Sequence, residues 1–216
     1  MVFQDILLDS AKLTDLKLEG VLQSFVEHSK IYFDKGTYAY PGVDYTEEEI
    51  ASVSIETLTD YWYSQALSYA SDTKPENAPG RRLYCMLLDG YPVNLAFCEV
   101  EGTTVHCCNV LNRPDTQGTK NFLYQYQFHN TRGASYLKDG VTLERAYADV
   151  GGPMRQSIEA MANYFSTIEE CNIRDCSTFR YVGQETQQYS TGGQAWPGVK
   201  SEYSTTFDVF ECEIKS

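Results

Sequence analysis

The sequence predicts an α/β domain with a mixed, mostly antiparallel sheet flanked by helices. Three observations carry this. Three strand-like runs follow one another between Arg82 and Leu111, separated by Asp89-Gly90 and Glu101-Gly102, the pattern of an antiparallel meander with tight turns. The apolar period then lengthens from two to about 3.6 after Thr119 and returns to two at Val141, so a helix joins two strands. A strand–helix–strand step makes a parallel connection, and beside a meander it makes the sheet mixed.

The elements read as follows. Phe3 to Leu8 is a short apolar run suited to a first strand. Leu18, Val21, Leu22 and Phe25 recur at helical spacing, which predicts a helix over Asp15 to Phe33. Gly36 to Asp44 carries Gly, Pro and aromatics and reads as a loop. Ser54 suits the N-cap of a second helix with Ile55, Leu58, Trp62, Ala66 and Tyr69 on one face. Ser71 to Gly80 is an exposed connector. The meander strands are Arg82 to Leu88, Pro92 to Val100 and Thr103 to Leu111. Thr119 to Leu137 is the next helix, with Phe122, Leu123, Tyr126, Ala134 and Leu137 inward and Gly133 a local weak point. Asp139-Gly140 closes it, and Val141 to Val150 is a strand. Gly151-Gly152-Pro153 opens a helix whose stripe is Met154, Ile158, Met161, Phe165 and Ile168. Phe179 to Val182 and Phe207 to Ile214 are the last strands, with a loop over Gln184 to Tyr203 between them. The order is β-α-α-β-β-β-α-β-α-β-β.

A chain of 216 residues fits one domain over its whole length, with residues 1–80 as a helical N-terminal part. No apolar run approaches the ~18–20 residues that span a bilayer. No basic stretch leads into an apolar one at Met1 to Asp5, so the expectation is a cytoplasmic protein without a secretory signal or membrane partner. The seven cysteines are odd in number, and no C-x-x-C pair argues for a metal. The expectation is seven reduced thiols and no metal site. The net charge is −13 and the 17 basic residues are scattered, which excludes a phosphate-tracking surface and hence nucleic acid as a partner. An acidic surface suits a cationic amine and equally suits plain solubility.

The order of elements resembles the GNAT acyl-CoA N-acyltransferases over about 130 residues, Leu83 to Ile214. In that family the fourth strand leads into a phosphate-binding loop, Q/R-x-x-G-x-G/A, at a helix start. Here Thr103 to Leu111 takes the place of that strand. Arg113-Pro114-Asp115-Thr116-Gln117-Gly118 follows, with a helix from Thr119, and Thr116 stands where the first glycine would be. A helix N-terminus offers unpaired amides and a positive dipole end, which hold a pyrophosphate even on an acidic protein. The resemblance implies a single GNAT-like domain that binds acetyl-CoA, with Arg113, Thr116, Gln117, Gly118 and Thr119 at the pyrophosphate. A backbone amide near Val110 or Leu111 would polarise the acyl carbonyl.

The resemblance implies amine acylation, which needs a base, a carbonyl-polarising donor and an acid for the leaving thiolate. His106 on the third meander strand and Glu144 on the following strand are candidate bases, with Glu99 a third. His106 reads equally as a hydrogen-bonded strand histidine, and Glu144 as a salt-bridge partner. His106 and Cys107 point to opposite faces, which speaks against a Cys/His nucleophile. The family's thiolate acid is a tyrosine on the helix after the fifth strand. Setting Phe165 at that helix's terminal aromatic puts Ala160 at the tyrosine position, and the nearest tyrosine is Tyr164. The departures at Thr116 and Ala160 both touch chemistry. The alternative reading is therefore a non-catalytic GNAT-like protein with assembly partners, such as a virion component. The tyrosine content and the Gln184–Tyr203 loop would then supply contacts.

Overall fold

Seven strands hydrogen-bond in the order β1-β2-β3-β4-β5-β7-β6. They are β1 (Phe3–Leu7), β2 (Arg81–Leu88), β3 (Tyr91–Glu101), β4 (Thr104–Asn112), β5 (Leu143–Asp149), β6 (Arg180–Ser190) and β7 (Glu202–Glu213). In this computed structural model the described residues are 2–34, 53–72, 80–113, 131–150, 179–190 and 202–214. All strand pairs are antiparallel except β4–β5, so the predicted mixed sheet with one parallel step is present. Asp89 and Gly90 have φ of 50° and 87°, the left-handed pair that a two-residue hairpin requires.

Among the described residues the helices are α1 (Ser10–Leu18), α2 (Val21–Asp34), α3 (Ile55–Tyr69) and α4 (131–138). The predicted single helix over Asp15 to Phe33 is two. Gly20 has φ 75° and its N–H bonds back to Lys17 O, so it ends α1 as a left-handed cap. Leu18, on the expected stripe, is exposed beside that break, while Leu22, Phe25 and Val26 are buried. Asp9 caps α1 through Lys12 N–H, and Ser54 caps α3 through Thr57 N–H as expected.

Both sheet faces are covered, which is why β2 and β3 read as almost unbroken apolar runs. Leu83, Cys85, Leu95, Phe97 and Leu111 pack under α1, α2 and α3 with Phe25, Leu58 and Trp62. Tyr84, Ala96, Cys98, Val105 and Cys107 lie on the other face with Tyr136 of α4. In α4 the inward residues are Arg132 and Tyr136, whereas the expected Ala134 is exposed. The rest of the predicted helix from Thr119, and the helix with the Met154 stripe, lie outside the described residues.

Two further expectations are corrected. β6 and β7 pair from Arg180↔Glu211 out to Ser190↔Glu202, so much of the predicted Gln184–Tyr203 loop is hairpin. Its Thr, Gln and Tyr residues suit a two-stranded ribbon as well as a loop. Cys212 is disulfide-bonded, while Cys85, Cys98, Cys107 and Cys108 are free thiols. An odd count ensures one free thiol but does not exclude a pair. The two remaining cysteines, Cys171 and Cys176, lie outside the described residues.

Candidate functional site

β4 and β5 pair from Thr104↔Leu143 to Cys107↔Ala146 and no further, although they run on to Asn112 and Asp149. The sheet therefore opens between them. The cause is local. β3 pairs Phe97 with Asn109 and Cys98 with Cys107, which leaves Cys108 as the extra residue of a β-bulge. A bulge bends its strand and resets the alternation of faces. Val105 and Cys107 accordingly face Tyr136, whereas Leu111 faces the α1–α3 side.

The opening changes what the β4 backbone offers. Arg113 N–H donates to Val93 O across the β3 ladder at 3.1 Å. Alternation then turns the Leu111 amide toward β3 and the Val110 and Asn112 amides toward the edge that β5 has left. Of the two amides expected near the acyl carbonyl, that of Val110 faces the open edge and that of Leu111 faces β3. The Val110 N–H is held by the Asn109 side-chain Oδ1 at 2.8 Å.

His106 sits just before the opening on the α1–α3 face, in register with Glu99 and Arg145. Its Nδ1 is 2.7 Å from the Tyr147 hydroxyl, and the two rings stack with centroids 6.0 Å apart. Its Nε2 lies 3.8 Å from Glu101 Oε2. Arg145 Nη1 reaches the Tyr147 hydroxyl at 3.4 Å, and Arg145 is itself held by Glu185 and Glu211. Phe207 packs edge-on against Tyr147. Burial pushes the Tyr147 hydroxyl above the ordinary phenol range, with the Arg145 guanidinium opposing.

The other candidates fall elsewhere. Glu144 pairs with Val105 and is buried on the opposite face, so it does not join His106. Glu99 shares the His106 face, but its Oε1 takes Arg81 Nε and the Tyr69 hydroxyl, both at 3.1 Å. Cys107 is buried and held well above the thiol range by a hydrogen bond to Cys98 and by burial, so it is no nucleophile. Arg113 closes the described part of the β4 end and lines a cavity of about 410 Å³ with Glu27, His28 and Tyr91. Thr116, Gln117, Gly118, Thr119 and Tyr164 lie outside the described residues.

Sequence reasoning missed two groups. Tyr147 was passed over because the choice between Glu144 and its neighbours depends on which face each presents. The second is a polar chain behind the β4 end. Arg132 Nη2 donates to Asp5 Oδ1 at 2.8 Å, Arg132 Nη1 to Asn94 Oδ1 at 2.9 Å, and Asn94 Nδ2 to Asn112 Oδ1 at 2.5 Å. It ties α4 and strand β1 to the last residue of β4.

No protein-family model and no curated protein sequence matches the chain. Solved structures do. The aminoglycoside acetyltransferase AAC(6')-Ib in complex with ribostamycin and coenzyme A aligns at TM-score 0.51 and 10% identity, covering 98% of this chain and 93% of that one. The ribosomal-protein-S18-alanine N-acetyltransferase of Escherichia coli aligns at TM-score 0.42 and 13% identity, over 100% and 96% of the two chains. PaiA N-acetyltransferase of Thermoplasma acidophilum, in complex with coenzyme A, aligns at TM-score 0.42 and 14% identity, over 99% of each. At such identities the likeness is one of architecture, and the AAC(6')-Ib alignment with the mixed sheet and its parallel β4–β5 step shows a GNAT-like fold.

Proposed function

We propose that this protein is an N-acyltransferase that uses acetyl-CoA to acylate an amine. The observation that carries the reading is the opening between β4 and β5 with the Val110 and Asn112 amides turned into it. An unpaired strand edge accepts an extended amide-bearing arm as it would a strand, and the pantetheine arm of coenzyme A carries amides. The fit is thus to the arm, and Arg113 stands where the chain leaves β4 toward the Thr116–Thr119 segment. Val110 N–H would polarise the thioester carbonyl, after the Asn109 side chain turns away. His106 is the base that the geometry favours, because Glu144 is on the other face. The AAC(6')-Ib structure, with coenzyme A bound in a like fold, supports the same reading.

Calorimetry of acetyl-CoA and coenzyme A against the wild-type chain tests it. The expected result is saturable binding of both. A flat titration at millimolar ligand removes the enzyme reading.

One observation favours a second reading, a non-catalytic assembly protein. β5 pairs β7 only from Phe207 onward, so the outer part of the β6–β7 hairpin, residues 186–190 with 202–206, extends beyond the sheet as a ribbon. Such a ribbon suits contact with a protein partner. The same flat titration would leave this reading standing.

A further inference from the structure

The first β5 residue beyond the paired segment is Tyr147, and it lies on the same face as His106, which stands behind it. The direction of their hydrogen bond follows the imidazole tautomer. Arg145 Nη1 can only donate, and it reaches the Tyr147 oxygen at 3.4 Å. The Glu101 carboxylate can only accept, and it lies 3.8 Å from His106 Nε2. With the proton on Nε2, on the Glu101 side, Nδ1 accepts and the Tyr147 hydroxyl donates to it at 2.7 Å, and this is the tautomer a relay requires. A hydroxyl has one proton and two lone pairs. Among the described residues the Tyr147 oxygen uses one lone pair on Arg145, and one remains to accept a proton.

We propose that Tyr147 is a catalytic residue that passes the acceptor amine's proton to His106. The proposal rests on the acyltransferase reading. The amine nitrogen attacks the acyl carbon, the C–N bond forms, and the C–S bond breaks with its electron pair going to sulfur. The amine's N–H proton moves to the Tyr147 oxygen as the Tyr147 proton moves to His106 Nδ1. His106 then carries two protons, with the Glu101 carboxylate beside Nε2, and returns one to solvent. The departing sulfur takes one from solvent, so amine and thioester become amide and thiol with no net proton change. Burial keeps the Tyr147 hydroxyl protonated near neutrality, as a relay and not a phenolate base.

Two measurements test this. The first needs no ligand: nitrogen-15 NMR of histidine-labelled protein reads the His106 tautomer. The relay requires the Nε2–H form, with the Nδ1 resonance shifting in Tyr147→Phe, which keeps the ring against His106 and Phe207. An Nδ1–H tautomer overturns the relay whatever the chain binds. The second follows thiol release from acetyl-CoA with propylamine as the probe acceptor. Tyr147→Phe should lower kcat on the order of 10²-fold, with the Kd for acetyl-CoA within about twofold. The Tyr147→Phe/His106→Ala double variant should be no slower than His106→Ala alone, because one path carries the proton. Wild-type turnover in Tyr147→Phe overturns the relay alone. A flat acetyl-CoA titration of the wild type overturns the acyltransferase reading and the catalytic role of Tyr147 with it.

Discussion

Arg132, on α4, and Asp5, on β1, form an ion pair across 127 positions of sequence, with Nη2 and Oδ1 2.8 Å apart and side chains only 7% and 1% exposed. The guanidinium also lies over the Tyr84 ring and donates to Asn94. One cation thereby joins the first strand, the middle of the sheet and helix α4.

Removing one partner should be severe. Asp5→Ala leaves Arg132 as a buried charge without its carboxylate, a change that costs about 3–5 kcal/mol. Urea denaturation should show that loss with the slope unchanged. Replacing both, as Asp5→Leu/Arg132→Met, should recover a large part of it, because an apolar pair needs no desolvated charge. A double variant as unstable as the single one would mean that Arg132 matters through Asn94 and Asn112 instead.

Gly80 is required by geometry. Its φ is 87°, and a Cβ there would sit 2.2 Å from Val100 O. The Gly80 carbonyl accepts Val100 N–H at 2.8 Å, so neither backbone can retreat without losing that bond. Gly80→Ala should destabilise by more than Gly20→Ala. At Gly20 a Cβ meets nothing within 4 Å and only the left-handed backbone is penalised, about 1–2 kcal/mol. Thermal unfolding of the two variants side by side checks the order.

Asn109 holds the amide that the acyl carbonyl would use, Val110 N–H, at 2.8 Å. Asn109→Ala should free it. The expected effect is tighter binding of acetyl-CoA by severalfold, matching the roughly 1 kcal/mol net worth of a hydrogen bond. Coenzyme A, which has no acyl carbonyl, should bind as before. Calorimetry of both ligands separates the two, and an equal gain for both would show that Asn109 acts on the arm and not on the carbonyl.

What was legible in the sequence was what neighbouring residues decide. The meander was readable because Asp89-Gly90 marks a two-residue turn on its own, and Ser54 marked its helix for the same reason. Gly20 was not read as a break, because Leu18 and Val21 continue the apolar spacing across it. His106 could be named as a base from its chemistry. Tyr147 could not, because its face depends on how β5 registers against β4 and where β5 leaves it at the Cys108 bulge. Asp5 and Arg132 carry no local sign of each other, and an arginine in a helix reads as solvent-facing until the fold brings its carboxylate near. The odd cysteine count spoke only to one thiol, so the bonded state of Cys212 was beyond it.

The strand itself offers a sharper test of the carbonyl-polarising amide. Proline lacks an N–H, and its tolerance in a strand depends on which way the lost donor pointed. The Val110 amide points to the open edge, so Val110→Pro should keep the β3–β4 ladder and lose only that donor. Leu111→Pro removes a donor that faces β3 and should unfold the chain or cost several kcal/mol more. If the Val110 amide stabilises the developing oxyanion, Val110→Pro should lower kcat by about 10²–10³-fold with acetyl-CoA affinity changed far less. Circular dichroism and thermal unfolding confirm that the fold is kept before turnover with propylamine is measured. Wild-type kcat in a folded Val110→Pro protein would dismiss this amide as the oxyanion donor and return attention to the Asn112 amide, the next on β4 that faces the opening.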